Sequence, residues 1–196
     1  AYHSGDAETS ITLAGQALQN VHSELWSIRV LARSYLGYSL LWQGDVNSGY
    51  QTFYGALKEE KVQNQGFKAA LLVCASSFHW VNADLNSLRQ AAKNTISICQ
   101  QSGNSTLLDY GKYFLGKVHY QKNDLIAAED LFATVFARPY QNFGDCYTGS
   151  ACGLAMTYQS QGREAEALEV AEAAVSFLLE TGNATQLPIA QASLAE

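Results

Sequence analysis

Four groups of side chains in this sequence invite a chemical reading and do not support one. The run Gly111-Lys112-Tyr113-Phe114-Leu115-Gly116-Lys117 has the GxxxxGK spacing of a phosphate loop. The next residue is Val118, where a Ser or Thr hydroxyl would hold magnesium, and the run reads as helix interior rather than a loop after a strand. Cys74, Cys99, Cys146 and Cys152 show no CxxC spacing and read as buried free thiols of a helical protein. His79 and His119 recur at one position of an internal repeat, which reads as interior packing rather than a metal pair. Glu59-Glu60 and the glutamates from Glu164 to Glu172 read as solvated helix surface. The sequence therefore assigns no catalytic residue, no metal ligand and no cofactor.

A fifth group stands up better. Tyr38, Trp42, Trp80, Tyr110, Tyr113 and Tyr120 gather around a single cation, Lys117, if the chain folds as its periodicity predicts. Rings and hydroxyls with one lysine suit the clamping of a peptide, a neighbouring domain or a small organic ligand, with Lys117 meeting an anionic group. The alternative is that a strongly curved array turns these rings onto the adjacent repeat and leaves no open groove.

What must position them is a repeat. The turn phrases Gly5-Asp6, Gly44-Asp45, Ala83-Asp84, Asn123-Asp124 and Gly162-Arg163 follow one another at steps of 44 − 5 = 39, 83 − 44 = 39, 123 − 83 = 40 and 162 − 123 = 39 residues. That period predicts an all-α fold, a right-handed α-solenoid of antiparallel helix hairpins. Seven residues before the turns stand the small residues Gly37, Ser76, Gly116 and Ala155, where a neighbouring helix must come close. After the turns the columns Gly49/Leu88/Ala128/Ala167, Phe53/Ala92/Phe132/Ala171 and Ala56/Thr95/Val135/Ala174 share one face of a second helix. The second unit trades a large residue at Leu88 for a small one at Ala92, a swap that keeps the layer filled. These columns resemble the tetratricopeptide pattern, with a period longer than its usual 34 residues.

In such a superhelix the first helices line the inner wall. Positions ten, six and three before each turn read Ser34, Tyr38, Leu41; Val73, Ser77, Trp80; Tyr113, Lys117, Tyr120; and Cys152, Met156, Gln159. Asp45, Asp84 and Asp124 are placed to cap the second helices. Gly66, Gly103-Asn104 and Gly182-Asn183 read as helix ends between units. The expected helical spans are 5–22, the hairpins 24–61, 66–101, 106–138 and 143–181, and 184–196, all in one repeat domain.

The first span lacks a partner before it, and Leu194-Ala195 repeats Leu154-Ala155 before its turn is reached. With Ala1 in place of Met, this leads us to expect a fragment with further domains on both sides, whose bare ends self-associate weakly. Eighteen acidic against twelve basic residues give a net charge of −6, which argues against nucleic acid as a direct partner. No apolar run long enough to span a membrane and no leading signal segment is visible, so the expected setting is cytoplasmic. Asn104-Ser105-Thr106 and Asn183-Ala184-Thr185 match the glycosylation sequon but read there as turn chemistry.

YFLGKVHYQKNDLIAAEDLF (113–132) and GLAMTYQSQGREAEALEVAEAAVSFLLETGNATQLP (153–188), with LARSYLGYSLLWQGDV (31–46) more weakly, resemble the helical-repeat region of the large ATP-dependent transcriptional regulators of the LuxR class, relatives of the maltose-regulon activator. The resemblance implies a non-catalytic sensor and interaction module between a nucleoside triphosphatase and a DNA-binding helix-turn-helix. Its partners would be a small-molecule inducer, a protein, or its neighbouring domains. The other open reading is a general tetratricopeptide scaffold that captures peptides or partner proteins in a chaperone, secretion or signalling assembly.

Overall fold

Gly5 lies outside the described residues, and each of the other four repeat turns has one residue with left-handed backbone. Gly44, Ala83, Asn123 and Gly162 have φ of 88°, 55°, 57° and 75°. Their N–H groups bond back three residues, to Leu41, Trp80, Tyr120 and Gln159, and the following N–H groups bond back five, to Leu40, His79, His119 and Tyr158. This paired arrangement satisfies carbonyls that the ending helix would otherwise leave open. It also explains the turn composition, because glycine and asparagine tolerate that conformation most readily. Ala83 is the departure.

The computed structural model describes residues 6–22, 24–57 and 64–195. Among these, ten α-helices occur and no strand: α1 (Ala7–Asn20), α2 (Trp26–Trp42), α3 (Val46–Leu57), α4 (Gln65–Val81), α5 (Leu85–Ser102), α6 (Ser105–Gln121), α7 (Leu125–Phe136), α8 (Gly144–Ser160), α9 (Glu164–Glu180) and α10 (Leu187–Ala195). Each helix packs on the next, and α4, α6, α8 and α10 also contact one another in succession. The architecture is an α-solenoid whose first helices form a continuous wall. Glu59, Glu60 and the end of the second expected span lie outside the described residues.

Caps follow side-chain chemistry. Asp6, Asp45 and Asp84 accept from the N–H groups of Thr9, Ser48 and Ser87 at 3.0, 3.1 and 3.0 Å. These bonds to the charged form hold all three carboxyls below their ordinary range. Asp124 departs from the expectation: its side chain makes no cap bond and instead meets His119 Nδ1 at 2.8 Å. Gly66 does not end a helix either. It lies in the first turn of α4, which Asn64 caps through Phe67 N–H, whereas Gly103 and Gly182 do take left-handed backbone.

The repeat columns are the core. Leu88, Ala92, Ala128, Phe132, Thr95 and Val135 are fully or almost fully buried. Where a small residue was expected between close helices, backbone does approach: a Cβ on Gly49 would stand 2.6 Å from the Gly37 carbonyl oxygen. Phe132 presses on two first helices at once, so that a Cβ on Gly116 or on Gly153 would meet its ring at 2.8 or 2.6 Å. Between the first two units the contact is aromatic instead, with Phe53 and Phe78 stacked at 5.3 Å and Tyr38 on Phe78 at 5.6 Å.

Candidate functional site

The first-helix wall carries all seven candidate residues, on α2, α4 and α6. Three of them meet. The Lys117 ammonium lies 3.8 Å from the centre of the Trp80 ring and 5.0 Å from that of Tyr113. It also donates to the Tyr113 hydroxyl at 3.1 Å. No carboxylate among the described residues pairs with it. Two opposed effects act on this cation: the ring faces favour charge, and burial away from water disfavours it. Burial prevails, and the lysine is pushed down to about 8. The same burial pushes the Tyr113 phenol up, keeping it a neutral hydroxyl.

The other candidates do not join this cluster. Tyr38 donates to Ser77 Oγ at 3.2 Å, Tyr110 donates to Asp145 Oδ1 at 2.6 Å, and the Tyr120 hydroxyl lies 3.3 Å from Ser160 Oγ. Tyr113 presses on Gly149, where a Cβ would stand 2.6 Å from its hydroxyl oxygen. Each of these four tyrosines therefore reaches from its own first helix to the next one, and the rings act as rungs of the wall. Trp42, at the end of α2, is 51% exposed. The wall thus combines rings committed to their neighbours with open apolar surface, and the anion contact expected of Lys117 competes with an aromatic seat already filled.

Sequence reasoning missed a second polar cluster. Asp109 on α6 is 0% exposed and pairs with Arg138, which follows α7, while Lys112 Nζ lies 3.7 Å away. Asn142 donates to the carbonyls of Val135 and Arg138 at 3.2 and 3.0 Å and closes the end of α7. Burial raises the Asp109 carboxyl, while the charges of Arg138 and Lys112 pull it back down. Asp109 Oδ2, Arg138 Nε and Asn142 Oδ1 have no hydrogen-bond partner among the described atoms. The signal was available, because the repeat register places Asp109 in a column with Val30, Ala69 and Thr148, all four 0% exposed. An acid in a column of small and apolar residues marks a buried charge.

The cysteines and His79 sit as packing, whereas His119 is held by the Asp124 carboxylate. Cys99 and Cys146 are buried and Cys74 and Cys152 half-buried, all four as free thiols. Burial raises Cys74 to about 11 and also raises Cys99 and Cys146, so these three stay protonated. His79 is buried, with Nε2 2.9 Å from the Tyr54 hydroxyl, and desolvation lowers its pKa against the pull of Asp84. No helix among the described residues is long and apolar enough to cross a membrane.

The sequence matches no protein-family model and no curated protein. The fold has clear likenesses among solved structures. One is the set of nearly identical TPR-like repeats assigned to a kinesin light chain of Podosopora anserina, with 15% identity, a TM-score of 0.63, and coverage of 85% of this chain and 84% of that one. Another is BtubC (BKLC) from P. vanneervenii, with 13% identity, a TM-score of 0.63, and coverage of 94% and 88%. At such identities the likeness establishes a tetratricopeptide-like helical repeat.

Proposed function

We propose that this chain is a non-catalytic interaction scaffold that holds a partner protein or peptide along its first-helix wall. The observation that carries this reading is open apolar surface beside anchored rings. Leu31, Tyr35 and Trp42, at i, i+4 and i+11, share one face of α2 with Tyr38 and are 44%, 41% and 51% exposed, and Met156 on α8 is 41% exposed. Contiguous apolar surface on a concave wall is the usual mark of a binding face. A net charge of −6 disfavours strongly acidic partners. Peptides carrying apolar residues at helical spacing should bind the chain and lose affinity for the double variant Leu31→Ser, Trp42→Ser, with its circular dichroism unchanged. Equal binding by the variant overturns the assignment of this face.

A narrower form of the proposal makes the scaffold the sensor region of a bacterial LuxR-class regulator, in a cytoplasmic setting, where a small inducer or protein engages the wall and neighbouring domains respond. The order NDLIAAE, SQGREAEA, ETGN within residues 123–183 supports it. An inducer-dependent rise in melting temperature, abolished by Trp80→Ala with the helical signal retained, is the expected result. A coding region lacking both an upstream triphosphatase and a downstream helix-turn-helix overturns it.

A further inference from the structure

One lysine stands apart among those described. Lys68, Lys93 and Lys122 are exposed, and Lys112 lies 3.7 Å from the Asp109 carboxylate. Lys117 is half-buried, without a carboxylate partner among the described residues. It occupies the repeat column of Tyr38, Ser77 and Met156, six residues before the turn, and lies against Trp80 and Tyr113 on the first-helix wall. Trp80 and Tyr113 are half-buried too, so the cluster touches solvent instead of lying in the core. Burial sets the amine at about 8, while the Cys152 thiol on α8 pulls the other way. At pH 7.5 about a quarter of such an amine is the neutral nucleophile, against roughly a thousandth of an ordinary lysine.

A desolvated lysine among apolar groups is the setting in which amines add to carbonyl compounds. The neighbouring rings specify which compound, because a flat aromatic ligand gains an offset stack on indole that an aliphatic one does not. We propose that Lys117 binds a small aromatic aldehyde covalently, as an imine whose conjugated plane lies against the Trp80 ring. The lone pair of Nζ adds to the carbonyl carbon, the C=O electron pair moves to oxygen, and a proton passes from nitrogen to that oxygen to give a carbinolamine. Its C–O bond then breaks, the second nitrogen proton leaves with the oxygen as water, and the C=N bond forms. Nothing is oxidised or reduced. The Tyr113 hydroxyl, 3.1 Å from Nζ and kept neutral by burial, is placed to pass protons from nitrogen to oxygen. The proposal gives a ligand class to the wall of the scaffold reading and rests on that reading only for access to Lys117. Peptide binding at α2 and adduct formation at α6 can fail separately, since neither Leu31 nor Trp42 enters the chemistry.

The test exposes the whole chain at pH 7.5 to limiting benzaldehyde with cyanoborohydride, which fixes imines as secondary amines. Peptide mass spectrometry then reads the occupancy of each lysine. Lys117 should be labelled about tenfold more than Lys68, Lys93 and Lys122, and the preference should vanish in urea. All lysines compete within one sample of the wild-type chain, so this result needs no variant. Propanal, which lacks the ring, should show a markedly smaller preference, and Trp80→Leu should lower benzaldehyde labelling of Lys117 with the circular dichroism unchanged. Labelling of Lys117 no greater than that of the exposed lysines overturns the proposal, as does a preference that persists in urea. Equal preference with propanal, or undiminished labelling in Trp80→Leu, overturns the assignment of an aromatic ligand.

Discussion

The Lys117 ammonium stands 3.8 Å from the centre of the Trp80 ring, so that α6 reaches back onto α4 with a cation rather than a hydrocarbon. A cation over indole contributes about 0.5–2 kcal/mol, more as water is excluded. A double-mutant cycle with Trp80→Leu and Lys117→Met should therefore show coupling of about 0.5–2 kcal/mol in urea unfolding. Strict additivity would mean that the stacking contributes nothing.

Lys117 also makes stability depend on pH. Its folded pKa is about 8 against an ordinary 10.5, so between these values the unfolded chain holds the proton more tightly. Stability should rise with pH through that window and fall again as pH drops through 8. Relative to Lys117→Met, the wild-type chain should gain up to about 3 kcal/mol between pH 7.5 and 10.5. Comparing urea midpoints of the two proteins at both pH values checks this, and a constant difference contradicts it.

The Asp109–Arg138 pair is asymmetric, because Asp109 is fully buried and the Arg138 side chain is 28% exposed. Removing the arginine strands a carboxylate in the core, so Arg138→Ala should cost about 3–5 kcal/mol. Adding Asp109→Val, the residue that the first unit has at this position, should restore most of that loss. Chemical denaturation of the single and double variants decides it.

Gly153 leaves room for a buried ring. Alanine there gains about 1 kcal/mol of helix propensity, but its methyl would fall 2.6 Å from Phe132, which is 1% exposed and already pressed on Gly116. Overpacking should win, with Gly153→Ala destabilising by about 1–3 kcal/mol. Phe132→Leu in the same chain should relieve part of the strain, and thermal unfolding of both chains measures it.

The α-solenoid was readable in the sequence because its causes are local. A left-handed turn restricts which residues stand at 44, 83, 123 and 162, and helix packing restricts the columns around them. The rungs of the wall were harder to read: that Tyr38 would reach Ser77 or Tyr110 reach Asp145 depends on side-chain direction and on the distance between neighbouring first helices, neither of which a column states. Lys117 was expected to face a ligand, and the choice of an aromatic seat depends on how far burial removes it from water. Asp124 was placed correctly at a helix start, yet His119 five residues earlier takes its carboxylate. Asp109 was legible in its column as one acid among small and apolar residues, but its partner Arg138 follows α7 and comes to it only through the packing of α6 on α7.

Among the described residues, every substantial helix contact joins elements one or two places apart in the chain. Such local wiring predicts quick folding, since little loop closure precedes each gain in burial. It also determines the response to tension. Pulled from its two ends, the array has no long-range clasp among the described residues that must rupture first, so hairpins should peel away one after another, each yielding roughly one repeat of chain length. A partner lying along several first helices would bridge those units and resist the pull, which turns occupancy of the wall into mechanical stiffness.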